Sequence, residues 1–263
     1  MMGLGAFYDQ HPRLILGVAS IAVLEGAWEL LLTYVVAYNP FFLTKPSLIA
    51  AAFNQQIIQG KLWKDIAISS RAFALGLALA ILVGIPIGAV MGWRRRVEYA
   101  LDPLLTALYA SPLVALAPVL IIAFGVGLTA KAALVFLLSV FPFVFNTFAG
   151  VRATDRVLIN VVTSFGGKER DLYLKVILPS TLPYIVAGAR LAIGRALVGI
   201  LVGEFYAASE GIGFAISQFG DTYRLAEMFS GILVLCIAAV ALTEALRKLE
   251  RVVAPWSAEQ TSR

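Results

Sequence analysis

Few residues of this chain could do covalent or metal chemistry. His11 is the only histidine and Cys236 the only cysteine, so the sequence offers no Ser–His or Cys–His nucleophile pair and no Cys/His metal cluster. The run Gly166-Gly167-Lys168-Glu169 lacks the glycine spacing and the hydroxyl of a phosphate-binding loop. An enzyme is therefore the least favoured class, and we expect no metal or other cofactor on this chain.

The groups that could act on a solute are charges inside apolar blocks. Glu25 and Glu29 lie four residues apart, hence on one helical face, and Arg195 and Glu204 lie in or beside a later block. A charge at bilayer depth costs about 2.5–3.5 kcal/mol, so it pairs, faces protein or lines a pathway. We predict that Arg195 and Glu204 line a solute pathway and that Arg195 attracts an anion, with an ion pair to a glutamate as its alternative. Glu25 and Glu29 are either packed, neutral or paired, or they carry protons.

Long apolar blocks must position these charges. Apolar residues make up 60% and charged residues 14% of the 263 residues, and the mean hydropathy is +0.87. Blocks of roughly 18 residues cross a hydrocarbon core of about 30 Å, and lipid forces each spanning block into a helix. The fold class is an all-α membrane protein with about six transmembrane helices, which we place at 14–38, 72–93, 101–124, 130–150, 182–203 and 228–246.

Two further patterns concern packing and orientation. Gly84, Gly88 and Gly92 form a stripe that lets another helix approach closely, either within the chain or across a dimer. Arg94-Arg95-Arg96, the 152–175 segment and the tail are basic, which predicts that they and both termini are cytoplasmic. No basic stripe is interleaved with aromatic residues, so we expect no nucleic-acid partner.

The stretch between the fourth and fifth blocks is charged and does not span the membrane. Leu158, Val161, Val162 and Phe165 recur at helical spacing. Gly166-Gly167 permits a sharp turn, and the cluster Lys168-Glu169-Arg170-Asp171 opens a second short helix. An amphipathic helix of this kind suits docking into a groove on a partner. A solvated loop on the bilayer surface is the alternative.

This stretch resembles the cytoplasmic coupling loop of ABC importer permeases, whose pattern is Glu-Ala-Ala, three residues, Gly, nine residues and Ile-x-Leu-Pro. Gly166 matches the glycine, Val176, Leu178 and Pro179 match the final motif, and Asn160-Val161-Val162 replaces Glu-Ala-Ala. The resemblance to the nitrate/sulfonate/taurine branch runs from about Trp28 to Trp256. It is carried by Asn39-Pro40-Phe41-Phe42-Leu43, Gly84-Ile85-Pro86-Ile87-Gly88, Leu101-Asp102-Pro103, Ser111-Pro112-Leu113, Phe124-Gly125-Val126-Gly127 and Gly211-Ile212-Gly213-Phe214.

The resemblance implies a type I ABC importer permease fold in the bacterial cytoplasmic (inner) membrane. It implies a homodimer with a second permease copy, two cytoplasmic ABC ATPase subunits that bind ATP and Mg, and an external or periplasmic solute-binding protein. The ATPase-coupling loop would comprise Asn160, Val161, Val162, Ser164, Phe165, Gly166, Gly167, Lys168, Glu169, Arg170, Asp171, Leu178 and Pro179.

The expected function is that of a permease subunit that forms the pathway for a small anion, such as a sulfonate, nitrate or carboxylate, by alternating access. The alternative is a stand-alone secondary transporter that couples protons through Glu25 or Glu29. The predicted organisation has an N-terminal segment with the first helix at 1–38, an external amphipathic linker at 39–71, and a core permease domain at 72–250. The coupling loop at about 152–180 belongs to that core, and a cytoplasmic tail follows at 251–263.

Overall fold

A computed structural model describes residues 12–35, 39 and 41–253 of the chain. Every regular element within those residues is helical. His11, the end of the first block at 36–38, both termini and most of the 251–263 tail lie outside the described residues. The cytoplasmic location of the termini therefore stays a prediction.

The chain divides into two compact units, which are described separately below. Unit 1 comprises Met1–Leu62 and Ile216–Ile232, and unit 2 comprises Trp63–Ala215 and Leu233–Arg263. The candidate sites for function lie in unit 2.

The helices follow one another with short connections. They are α1 (Pro12–Leu30, continued by a π-helical turn at Leu31–Val35), α2 (Pro46–Ile58), α3 (Lys61–Trp93), α4 (Arg95–Ala110), a 3₁₀ turn (Leu113–Leu116), α5 (Ala117–Phe124), α6 (Leu128–Arg152), α7 (Arg156–Ser164), α8 (Glu169–Leu172), a π-helical turn (Tyr173–Ile177), α9 (Leu178–Ala207), α10 (Ile212–Asp221) and α11 (Leu225–Val253).

Five stretches of the described chain are long and apolar enough to cross a membrane. They are Ile15–Val35, Lys61–Trp93, Leu128–Arg152, Glu169–Tyr206 and Leu225–Val252. A sixth span exists if Arg95–Ala110 and Leu113–Phe124, which meet at a bend of 86°, cross together. The prediction of about six transmembrane helices is thus confirmed, as five or six.

The predicted third span differs most from the structure. The block 101–124 was expected as one helix, but the chain breaks between α4 and the 3₁₀ turn, at Ser111-Pro112. Ser111 has an extended backbone, with φ −73° and ψ 152°. Proline disfavours helical geometry at the residue before it, which accounts for the break.

The second span begins earlier than expected. We placed its start at Ala72, after a linker, whereas α3 begins at Lys61. Lysine is a good helix former, so the polar residues before Ala72 do not stop the helix. One consequence is that Asp65 and Ser69, four residues apart, lie on one face of α3.

Helix α6 lies at the centre of unit 2. The apolar stretch of α6 is 67% buried, whereas the corresponding stretches of α3 and of Glu169–Tyr206 are 28% and 39% buried. Phe143, Leu134 and Val135 of α6 are almost fully enclosed. Helix α6 is therefore the element against which its neighbours in unit 2 pack.

The glycine stripe of α3 faces α6 at backbone distance. A Cβ atom on Gly88 would lie 2.3 Å from the Val144 carbonyl oxygen, and one on Gly92 would lie 2.5 Å from the Val151 Cβ. Of the two roles left open for the stripe, the structure thus shows packing within the chain. Helix α9 also approaches the α6 backbone closely, since a Cβ on Gly199 would lie 2.9 Å from the Val135 Cα.

We expect Gly88→Ala to destabilise the protein by about 1–3 kcal/mol, the usual result of overpacking, because the Val144 backbone cannot move aside without displacing α6. The matched control is Gly17→Ala, where an added Cβ meets no atom within 4 Å. The free energy of unfolding in bicelles measures both. Equal stability of the two variants would contradict the packing described.

Candidate functional site

The coupling segment, residues 155–172, is a mostly exposed connection between α6 and α9. It begins with Asp155, whose carboxylate caps α7 by accepting the Val157 backbone N–H at 2.8 Å. The helix predicted through Leu158 and Val161 is confirmed, and both side chains are exposed, as is Phe165 at 89%. The described chain leaves these apolar side chains uncovered.

Two glycines make the turn after α7. Gly166 has a φ of +71°, in the left-handed region that glycine tolerates best. A Cβ on Gly167 would lie 2.5 Å from the Val162 Cγ1. The Gly166 and Gly167 N–H groups donate to the carbonyls of Thr163 and Val162 at 3.0 and 2.9 Å, so the turn closes α7 with its own backbone.

The second short helix, α8, is tied to the end of α3. The Glu169 carboxylate accepts hydrogen bonds from Trp93 Nε1 at 2.8 Å and from Arg94 Nη2 at 2.6 Å. Asp171 pairs with Lys175 at 2.8 Å. Trp93 was not predicted as a partner of the coupling segment, because nothing local in the sequence relates residues 76 positions apart.

The structure leaves most of the predicted coupling residues exposed. Asn160, Val161, Ser164, Phe165, Gly166, Gly167, Lys168, Glu169 and Arg170 are exposed, and Val162 and Asp171 are partly buried. Leu178 and Pro179 lie apart from them, partly buried in the first turn of α9. Those two residues return the chain to the span.

A buried ion pair occupies the other end of unit 2. Glu204, near the end of α9, lies 3.2 Å from Lys131 Nζ, and the two side chains are 1% and 5% exposed. The Glu204 carboxylate also accepts hydrogen bonds from the Ser69 hydroxyl at 2.8 Å and from the Gly213 N–H at 2.8 Å. Glu204 was predicted to line a pathway; its carboxylate is enclosed in this structure, and the pathway role stays a prediction.

The same network holds the turn between α9 and α10. The Gly211 N–H donates to Asp65 at 3.2 Å and the Ile212 N–H donates to the Ser69 hydroxyl at 3.0 Å. A Cβ on Gly211 would lie 2.1 Å from Glu204 Oε1. Gly211 and Gly213 therefore have no side chain at the two positions where the backbone of this turn packs against the buried carboxylate.

The sequence did not predict Lys131 and Ser69 as partners of Glu204, or Asp65 as the acceptor for the Gly211 N–H. A signal existed for Lys131, because it is the only charge between Leu128 and Gly150 and a charge inside a span needs a partner. Asp65 and Ser69 carried no such signal, since the sequence prediction placed them in the external linker, outside the transmembrane helices.

The other predicted charges have separate environments. The Arg195 guanidinium lies 5.4 Å from the centre of the Tyr109 ring and Arg195 is exposed; within the described chain it forms no ion pair with a glutamate. In unit 1, the Glu29 carboxylate accepts from the Ser47 N–H and hydroxyl at 3.0 and 2.8 Å and lies 3.9 Å from Lys45. Glu25 is exposed and makes no hydrogen bond or ion pair with the described residues.

Within the described chain, the structure thus combines several apolar spans with an exposed helical segment between two of them. Residues 84–255 match the family described as binding-protein-dependent transport system inner membrane component. The match covers more than half of the chain, and the chain belongs to this family.

Curated relatives agree with that family. The formylaminopyrimidine transport permease protein of Halalkalibacterium halodurans is 35% identical over 71% of this chain and 75% of its own length. The taurine transport system permease protein of Escherichia coli is 32% identical over 94% of this chain and 91% of its own. The putative aliphatic sulfonates transport permease protein of Bacillus subtilis is 32% identical over 91% of this chain and 87% of its own.

A solved structure shows the same fold. The inward-facing MetNI methionine ABC transporter contains a chain that superimposes with a TM-score of 0.62 at 16% identity, covering 73% of this chain and 96% of that one. The predicted type I ABC importer permease fold is thereby confirmed.

We expect Glu204→Ala to destabilise the protein by about 3–5 kcal/mol, because it leaves the Lys131 ammonium buried without a counter-charge. The double variant Lys131→Met/Glu204→Ala should recover part of that loss. The exposed pair Arg190–Glu250, at 2.9 Å, is the control, and Glu250→Ala should change stability far less. Additive losses in the Lys131/Glu204 cycle, measured by unfolding in bicelles, would contradict the pairing.

Proposed function

We propose that this permease subunit imports a small anion by alternating access, driven by two ATPase subunits that dock on the coupling segment. In this proposal the coupling segment and both termini face the cytoplasm of a bacterium. A second copy of the chain completes the pathway, a separate solute-binding protein delivers the anion outside, and ATP and Mg bind to the ATPase chains. The observation that carries the proposal is the uncovered apolar surface of the coupling segment.

That surface has the make-up of a docking site. Phe165, 89% exposed, follows α7 at helical spacing from Val157 and Val161, which are 64% and 47% exposed. Lys168, Glu169 and Arg170 border it with charge. An exposed aromatic anchor with a polar rim is typical of residues that fill a partner's pocket, and an amphipathic helix is a common form of such a ligand.

The attachment of the coupling segment supports a mechanical role. Glu169 bonds to Trp93 and Arg94, at the end of α3. Helix α3 packs on α6 at backbone distance through Gly88 and Gly92. If a docked partner displaces α8, the displacement would therefore be passed to the spanning helix α3 through these two hydrogen bonds. Both are charge-assisted, because the Glu169 carboxylate accepts them.

The proposal that the substrate is an anion is supported by two relatives and by one side chain of this protein. Two of the three relatives described above are named for taurine and for aliphatic sulfonates, and the relative named for formylaminopyrimidine matches less of this chain. Arg195 is exposed, lies over the Tyr109 ring and donates a hydrogen bond to the Tyr109 hydroxyl at 3.4 Å. Guanidinium groups bind planar and tetrahedral oxyanions through paired hydrogen bonds.

The proton-coupled alternative has less support. The Glu29 carboxylate accepts a hydrogen bond from Ser47 and lies near Lys45. Among the described residues, Glu25 makes no hydrogen bond that could belong to a proton relay.

We expect Phe165→Ala to raise the dissociation constant for the partner ATPase about tenfold or more, the usual loss for a buried aromatic anchor. Solute-stimulated ATP hydrolysis should fall with it. Phe41→Ala is the matched control, because Phe41 is 63% exposed and lies in unit 1, outside the coupling segment. Purified complexes and a pull-down with the candidate ATPase measure both effects, and wild-type binding by Phe165→Ala would overturn the docking surface.

We expect Arg195→Ala to lower uptake of labelled taurine or methanesulfonate into proteoliposomes about tenfold or more, since hydrogen bonds to charged groups contribute about 1.5–3 kcal/mol. Arg190→Ala is the control, because Arg190 is paired with Glu250. Unchanged anion uptake by Arg195→Ala at equal expression would remove Arg195 from the pathway.

A further inference from the structure

A small cavity in unit 2 lies beside the π-helical turn that joins the coupling segment to α9. Its wall includes Ala89 of α3, Thr147 of α6, Ile177 of the π-helical turn and Thr181 of α9. The volume open to the centre of a water molecule is about 10 Å³, close to the smallest volume that holds one water. The cavity thus has room for one water molecule and for no larger ligand.

The hydroxyl of Thr147 is buried and lacks a partner. Thr147 is 1% exposed, and its Oγ1 forms no hydrogen bond with the part of the chain that the structure describes. Serine and threonine hydroxyls in helices commonly donate to the carbonyl four residues back. Those of Ser139, Thr181 and Thr243 in the same unit do so, at 2.6, 2.7 and 2.8 Å. Because a buried hydroxyl without a partner is destabilising, a ligand that pairs with Thr147 is favoured.

Thr181 supplies a second polar group in the cavity wall. It is also 1% exposed, and its hydroxyl donates to the Ile177 carbonyl at 2.7 Å. The oxygen of that hydroxyl can still accept a hydrogen bond. A buried water needs two to four polar partners, and the hydroxyls of Thr147 and Thr181 provide a donor and an acceptor.

The helical hydrogen bonds are interrupted next to this cavity. The Leu178 N–H donates to the Tyr173 carbonyl, five residues back, instead of to the Leu174 carbonyl four residues back. Pro179, the next residue, has no N–H to donate. Short π-helical turns of this kind are frequent at functional sites. An attachment to α6 at this point would stabilise a stretch whose own hydrogen bonds are incomplete.

We propose that the cavity binds one water molecule, which accepts a hydrogen bond from the Thr147 hydroxyl and donates one to the Thr181 hydroxyl. Thr181 extends this chain of hydrogen bonds to the carbonyl of Ile177, the last residue of the π-helical turn. The water thereby joins α6 to the junction between the coupling segment and α9. The site shares no residue with Arg195 or the coupling segment, and it does not depend on which solute is transported.

Thr147→Val keeps the shape of the side chain and removes the hydroxyl. We expect it to raise the equilibrium constant for unfolding in bicelles about fivefold, which corresponds to about 1 kcal/mol, because the water loses a partner. Thr243→Val is the matched control. The Thr243 hydroxyl donates to a carbonyl of its own helix, and its loss should change the constant less than about twofold. A loss for Thr147→Val no larger than that for Thr243→Val would overturn the proposal.

A cryo-EM map of the assembled transporter in nanodiscs, at a resolution that shows ordered waters, locates the ligand directly. We expect a density peak about 2.5–3.0 Å from both Thr147 Oγ1 and Thr181 Oγ1. The peak should be lost in Thr147→Val and kept in Thr147→Ser, which retains the hydroxyl. A map of the unsubstituted protein that shows other buried waters but no peak here would overturn the proposal. Neither measurement depends on transport or on ATPase docking.

Discussion

Helix α6 can only be packed as it is because glycine lets two neighbours reach its backbone. Gly88 of α3 and Gly199 of α9 lie where any side chain would strike the Val144 carbonyl or the Val135 backbone. In lipid no hydrophobic drive holds helices together, so close van der Waals contact must do so. The result is a tightly packed group of three helices whose two ends carry different polar features.

At one end, a buried polar network joins the three helices. Lys131 of α6 and Glu204 of α9 meet within hydrogen-bonding distance, and Ser69 of α3 donates to the same carboxylate. A fully satisfied buried network rigidifies its surroundings, whereas a partly satisfied one is costly. At the other end, Glu169 fastens the coupling segment to α3.

Local sequence patterns predicted much of this arrangement. Apolar block length predicted the spans, and the helical spacing of Leu158 and Val161 predicted α7. The pairing of Lys131 with Glu204 could not be predicted in the same way, because it joins residues 73 positions apart. The start of α3 at Lys61 was not predicted, because the polar residues before Ala72 are compatible with a helix. The break at Ser111-Pro112 was not predicted either, because it lies inside a continuous apolar block.

Docking of an ATPase on the coupling segment would cover its exposed apolar side chains. Hydrogen–deuterium exchange of the purified permease, with and without the candidate ATPase, tests it directly. If the ATPase docks there, exchange in 156–172 should be slower when the ATPase is bound, with little change in the turn at 208–213. Unchanged exchange in 156–172 in a complex shown to be intact would contradict it.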